Sequence, residues 1–301
     1  MKKIFLSLLF ALVSIAASNA QLLYKISHKS LDKPSYIVGT YHLAPASFVD
    51  SISGARAALA AVDVVCGEVV MSEMQSFENV KKVQEAMMLP DGKSLADILD
   101  ADEMQCLNAY MDELLGVNLD NPIMKSQMGK MTPMALSTQL QMVQYMKLTP
   151  NFNPMDLIDA YLQKAAVMAG KKVAGLETVD FQIATLYKGA TIERQKQQLL
   201  CMVYNAEYHS HQMKELATAF FTQNMPALLE ITEEKMGNQC DSTPEEEAAL
   251  IYGRNSAWVE KIPAMVAEAP TLFVVGAAHL PGEKGVLELL KAKGYTVEAV
   301  K

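Results

Sequence analysis

Two segments at opposite ends of the chain carry one pattern. "YIVGTYHL" (36–43) and "LFVVGAAHL" (272–280) each run through β-branched and apolar residues and stop at a glycine. A histidine follows three residues later, with a leucine after it. Apolar runs of this length, bounded by glycine, read as strands buried on both faces. A buried strand must pair its backbone groups with neighbours, so the two ends of this 301-residue chain have to meet in one sheet. A lone Gly-x-x-His means nothing, since fifteen glycines and five histidines give about a quarter of one match by chance. Two copies, each after a buried-type strand and each followed by leucine, call for a shared explanation.

The rest of the pattern places helices between those ends. "LLYKISH" (22–28) and "SYIVGTYH" (35–42) flank "KSLDKP" as a β-hairpin. "SGARAALAA" (53–61) reads as a helix and "VDVVCGEVV" (62–70) as a second apolar strand, together a βαβ unit. The middle is helical. Ser94 caps and Gly116 stops one stretch, Thr132 and Pro133 open another, and Asn153, Pro154 and Gly170 frame a third. "KKVAGLET" (171–178) reads as a strand, and helical periodicity resumes from Thr191 to about Gly237 with a break near Pro226. Thr243 and Pro244 begin a helix with acids in its first turn, where the helix dipole favours them. After the second histidine come a helix, "GEKGVLELLKAKG" (282–294), and a closing strand, "YTVEAV" (295–300). The expected fold class is α/β: one domain over 21–301, its central mixed sheet assembled from N- and C-terminal strands, with a helical insertion in the middle.

Residues 1–20 stand apart. A basic "MKK", an apolar "IFLSLLFALVSIAA" and a small-residue "SNA" read as a secretory signal peptide cut after Ala20. The apolar stretch is short for a membrane span, and no later segment is long enough, so no transmembrane anchor is expected after cleavage. Loss of Lys2 and Lys3 takes the formal charge from −8 to −10. That balance excludes nucleic acid as a partner, because its binders carry basic faces. Export permits disulfides. Of the four cysteines, Cys201 and Cys240 flank one helical region and are expected to pair, whereas Cys66 lies in an apolar strand as a buried thiol. The spacings match no zinc pattern.

In open α/β sheets, ligands sit beyond the carboxyl ends of the strands. Four such ends carry His42, Glu68, Glu177 and His279, each one to three residues after a glycine. Imidazole and carboxylate suit a divalent Zn, Mn, Co or Fe(II) ion, which makes water acidic and polarises a carbonyl. A glutamate can serve instead as general base. Equally, a glutamate at a strand end is often solvated or caps the next helix. Arg254, in "GRNSAWVEKI", leads toward the last strand and can grip a carboxylate bidentately, or form a structural ion pair. Tyr41 can donate to an oxyanion or pack in the core. His209 and His211 do not share a helix face and read as surface residues, and His28 as exposed. No Gly-x-Ser-x-Gly, phosphate loop or dinucleotide fingerprint is present.

The segments "YIVGTYHLAPASF" and "LFVVGAAHLPGEKGVLELLKAKGYTVEAV", with "CGEVV", "VAGLETVDFQIATL" and "GRNSAWVEKI" between them in order, resemble the TraB/GumN family, which includes the Tiki proteins. The resemblance runs from about Leu22 to Val300. It implies an EreA/ChaN-like fold in which two halves bring paired Gly-x-x-His motifs together. Tiki members are regarded as metal-dependent proteases that inactivate secreted peptide signals, and bacterial members are linked to shutting down peptide pheromones. By position, His42 and His279 match the family's histidines, Glu68 and Glu177 its acids and Arg254 its arginine.

These readings lead to an exported, most readily periplasmic, metal-dependent hydrolase acting on a peptide or small molecule. His42 and His279 would bind a divalent Mn, Co or Zn ion with Glu68 or Glu177. The other glutamate would activate water, and Arg254 would hold a carboxylate or the developing oxyanion. A non-catalytic peptide- or haem-binding envelope protein is the alternative. A purely structural envelope protein is a third reading.

Overall fold

The computed structural model describes residues 21–90 and 92–301, so the expected leader lies outside the described residues. Six strands form one mixed sheet: β1 (Leu23–Ser27), β2 (Ser35–Thr40), β3 (Val64–Gly67), β4 (Lys172–Gly175), β5 (Thr271–Gly276) and β6 (Thr296–Ala299). Their order across the sheet is β4-β3-β5-β2-β1-β6. The first four are mutually parallel, and β1 runs antiparallel to both β2 and β6. The hairpin forms as the turn residues between 28 and 34 require, with Leu23 opposite Val38.

The two ends meet through β5. It pairs with β2 from Tyr36–Leu272 to Thr40–Gly276, and with β3 on its other side. The expected βαβ unit of β2, the helix Ala55–Ala61 and β3 is therefore opened, with the C-terminal strand inserted between its two strands. The apolar run explains the position: Leu272, Phe273, Val274 and Val275 are all buried, as a strand covered on both faces must be. The outer strands β4 and β6 are four residues each and partly exposed, short edges that resist pairing with another chain.

Helices between β3 and β4 and between β4 and β5 build a second apolar cluster apart from the sheet core, around Leu107, Met111, Leu136, Leu140 and Leu199. The caps fall where polar side chains can take up free amide hydrogens: Thr132 accepts from Ala135, Thr191 from Arg194 and Thr243 from Glu246. Gly116 ends its helix in the left-handed conformation. Cys201 and Cys240 form a disulfide, and Cys66 is fully buried, its thiol pushed up to about 12 by burial.

Several readings need correction. Asn153 and Pro154 do not start a helix, because Asn153 Oδ1 closes a turn onto the Met155 amide. The segment then stays extended: Leu157 bridges Pro45, and Ala46 and Ile158 exchange backbone bonds with Asp156 and Ala44. The helix Ile158–Met168 begins only afterwards, bringing Asp159 against the end of β2. His209 is half-buried, with its Nε2 shielded from solvent. His28 is half-buried, its ring 5.2 Å from that of Tyr295.

Candidate metal centre

The carboxyl ends of the four parallel strands lie on one edge of the sheet. Because the spatial order is β4, β3, β5, β2, that edge reads Glu177, Glu68, His279, His42. The two motif glycines let the halves interlock. A Cβ on Gly39 would stand 2.8 Å from Leu280 Cδ1, the leucine of the other motif. A Cβ on Gly276 would stand 3.3 Å from Glu68 Oε1, 3.4 Å from His279 Cδ2 and 3.8 Å from His42 Nε2. Gly39 thus leaves room for Leu280 that any side chain would take, and at Gly276 a side chain would crowd Glu68 and His279.

Both histidines are held by Nδ1. His42 Nδ1 lies 3.2 Å from Asp159 Oδ2, and Asp159 is itself fixed by the Thr40 hydroxyl at 2.6 Å. His279 Nδ1 lies 2.6 Å from Asn255 Oδ1. The orientation of the Asn255 amide is set by its Nδ2, which donates to the Lys284 carbonyl at 2.8 Å. Its oxygen must therefore accept, so the His279 proton resides on Nδ1 and Nε2 carries the lone pair. The environments drive the two rings apart electrostatically. Burial lowers the His279 pKa to about 4 against the pull of Glu68. For His42, the lowering by desolvation is outweighed by the charge and hydrogen bond of Asp159, and its pKa rises to about 9. The His42 side chain is 65% accessible because it stands in an open cleft, so solvent weakens that coupling.

Arg254, in the first turn of the helix Gly253–Glu268, binds both acids. Its Nε and Nη2 donate to Glu177 Oε1 and Oε2 at 2.8 and 2.9 Å, a bidentate pair, and Nη2 also reaches Glu68 Oε2 at 2.5 Å. Nη1 donates to the Leu250 carbonyl at 3.0 Å and points to His279 Nε2 at 3.2 Å. Trp258 Nε1 donates to Glu177 Oε1 at 2.7 Å, and Gln182 Nε2 lies 3.3 Å from Glu177 Oε2. Glu177 thus has two donors on each oxygen, which fills a carboxylate's acceptor sites. Glu68 differs. Its Oε1 accepts from the Gly276 amide at 2.8 Å and keeps one site free, 3.9 Å from His279 Nε2. Burial raises the Glu68 pKa, but the neighbouring His42, His279 and Arg254 charges and the Gly276 amide bring it below its ordinary value.

His42 Nε2 and Glu68 Oε1 border the space over Gly276, and His279 turns Cδ2 toward it while its Nε2 meets Arg254 Nη1; these imidazole and carboxylate donors are of the kind that suits a divalent transition ion, which would need Arg254 to give up His279. The acceptors on both Nδ1 atoms are the supporting interactions that metal-bound histidines ordinarily have. In this arrangement the Arg254 guanidinium neutralises the carboxylates, and among the described residues no three His, Cys, Asp or Glu side chains are gathered as a ready-made metal shell. The volume opens into a cleft of about 420 Å³, walled by Met71, Met74, Met155, Leu157 and Leu186. The structure brings His42, Glu68, Glu177, Arg254 and His279 together. Tyr41 instead packs its ring against Tyr145 and Phe220. Sequence reasoning missed Asp159, Asn255, Trp258 and Gln182. For Trp258 a signal existed: it lies in "GRNSAWVEKI" four residues after Arg254, on the same helix face.

The sequence model of the TraB/PrgY/gumN family matches residues 22–299, and the chain belongs to that family. Over 89% of its length the chain is 23% identical to Metalloprotease TIKI1 of Danio rerio, covering 61% of that protein. The chain thus spans about three-fifths of the curated relative it matches. No solved structure matches it.

Proposed function

We propose that this member of the TraB/PrgY/gumN family is a metal-dependent hydrolase that cleaves peptides outside the cytoplasm. One observation carries the reading. Both histidines have Nδ1 tied to an acceptor, which leaves the lone pair of His279 on Nε2, 3.9 Å from Glu68 Oε1 and shared with Arg254 Nη1, and puts His42 Nε2 over Gly276 near the same carboxylate oxygen. The similarity to a protein named a metalloprotease supports the same chemistry.

In this reading His42, His279 and Glu68 hold the divalent ion. When bound, such an ion polarises a carbonyl and lowers the pKa of water to near neutrality. Asp159 and Asn255 keep the rings oriented. Glu177, its acceptor sites filled, serves to hold Arg254. The guanidinium, 10% exposed at the floor of the cleft, has its N–H groups directed at Glu177, Glu68, the Leu250 carbonyl and His279, so it would act through its positive field on the oxygen that gains charge as a peptide carbonyl is attacked. The apolar, methionine-rich cleft excludes water from that oxygen and takes an apolar side chain, since methionine adapts to varied shapes. The Cys201–Cys240 disulfide suits an oxidising compartment, and with the leader-like first twenty residues it supports export, in our reading to the periplasm.

The test is a screen of the mature protein against a peptide library, with Mn, Co, Zn or Fe(II) supplied in turn. Cleavage that needs a metal and is lost in His279→Ala is expected. Peptide binding without cleavage under every metal would make this a binding protein instead.

A further inference from the structure

Arg254 already holds two of the three side chains that the hydrolase reading assigns to a metal ion. Its Nη1 lies 3.2 Å from His279 Nε2. Asn255 Oδ1 keeps the ring proton on Nδ1, so this contact is an N–H donating into the free lone pair of the imidazole. Its Nη2 donates to Glu68 Oε2 at 2.5 Å. A nitrogen lone pair serves one partner at a time, so the guanidinium and a metal exclude each other at His279.

The contact is held from several sides. Nε and Nη2 grip Glu177 as a bidentate pair, and Nη1 also donates to the Leu250 carbonyl at 3.0 Å. Leu250 lies in the π-helical turn Ala248–Tyr252 just before the Arg254 helix, a form that recurs at functional sites. The guanidinium keeps its charge at every pH the fold survives, and it balances the carboxylates of Glu68 and Glu177 without any ion. In so buried a place that charge also repels a second cation. Release needs little movement. Glu177 is outside the proposed ligand set and can keep its grip, so only Nη1 has to leave His279. Arg254 lines the cleft, which gives the freed N–H room. Trp258, the single tryptophan of the chain, watches this contact: its ring lies 4.9 Å from the guanidinium carbon and 4.4 Å from the His279 ring.

We infer that Arg254 is a built-in competitor of the metal, an internal cation that occupies His279 Nε2 in the metal-free protein and must give it up for an ion to be held. The inference rests on the hydrolase reading for the site being a metal site, whereas the competition rests on the contacts of Arg254 itself.

The probe is zinc ion alone, titrated by calorimetry onto the mature, metal-free protein, with no substrate present. Arg254→Gln should bind zinc about tenfold or more tighter than the unmodified protein, an ordinary size for two coupled interactions. Arg254→Lys keeps a cation between the acids but lacks the fork that reaches His279, and should fall between the two. Circular dichroism would verify that each variant is folded. In the unmodified protein, which needs no variant, the Arg254 Nη protons seen by NMR should lose protection from water as zinc saturates the site, and Trp258 emission should shift with the same midpoint. Equal or weaker zinc binding in both variants, or Nη signals unchanged at saturating zinc, overturns the inference and leaves the metal site standing. Zinc bound by the variants alone supports the inference in its strongest form. No zinc bound by any of the three proteins overturns the metal reading, and the inference with it.

Discussion

Replacing Arg254 with methionine tests the electrostatic arrangement at the strand ends. The guanidinium is 10% exposed, and the carboxylates of Glu68 and Glu177 are 9% and 4% exposed. Methionine keeps much of the packing against Trp258, whose ring lies 4.9 Å from the guanidinium carbon, but removes the charge. Two buried carboxylates then lose the cation that bridges them, and only the exposed His42 imidazolium remains beside Glu68. Breaking a buried pair by removing one partner costs about 3–5 kcal/mol. For a chain of this size that lowers the thermal midpoint by roughly 6–15 °C. The loss should depend on pH. In the variant, burial raises the Glu68 pKa without the guanidinium to oppose it, so stability returns as pH falls toward the unfolded value of 4.5. In the unmodified protein the Glu68 pKa is depressed, so its contribution is present above 4.5 and lost below it. The two unfolding curves should therefore converge between pH 7 and pH 4. Urea unfolding monitored by Trp258 fluorescence gives both quantities. A penalty below about 1 kcal/mol at pH 7, the size of an exposed pair, would refute the reasoning.

Three further outcomes are expected. His279, with a folded pKa of about 4 against 6.5 unfolded, contributes about 3 kcal/mol that is present above pH 6.5 and lost as pH falls toward 4; urea midpoints across that range should fall, and His279→Gln should flatten the slope. Asp159→Asn removes the charge that raises the His42 pKa, so the His42 ring, titrating near 9 in the metal-free protein, should titrate at least one unit lower by NMR. Cys201→Ser with Cys240→Ser opens a crosslink spanning 39 residues, worth up to about 4 kcal/mol by chain entropy; an unchanged midpoint under non-reducing conditions would contradict it.

The strands and the meeting of the two ends were legible because buried strands leave unbroken apolar runs closed by glycine, and those runs survive in a single sequence. Glu68, Glu177, His42 and His279 could be placed on one edge because each follows such a run directly. The position of β5 between β2 and β3 was not legible, since apolar runs do not encode which neighbour they choose. Asp159 was missed for a related reason: it comes near His42 only because residues 156–158 pair in extended form with 44–46, which "NPMDLID" conceals behind a helix-start signal. Gln182 acts as a donor to acids from other elements, and no periodicity marks such a role.

The most direct test of the central claim, that the two Gly-x-x-His-Leu motifs build one metal site, is the metal content of the purified mature protein. It would be equilibrated with Mn, Co, Zn or Fe(II) and measured by mass spectrometry beside His42→Ala and His279→Ala. About one ion per chain, lost in either variant alone, is the expected result. An ion retained by both variants, or no ion bound by the unmodified protein, would contradict the claim.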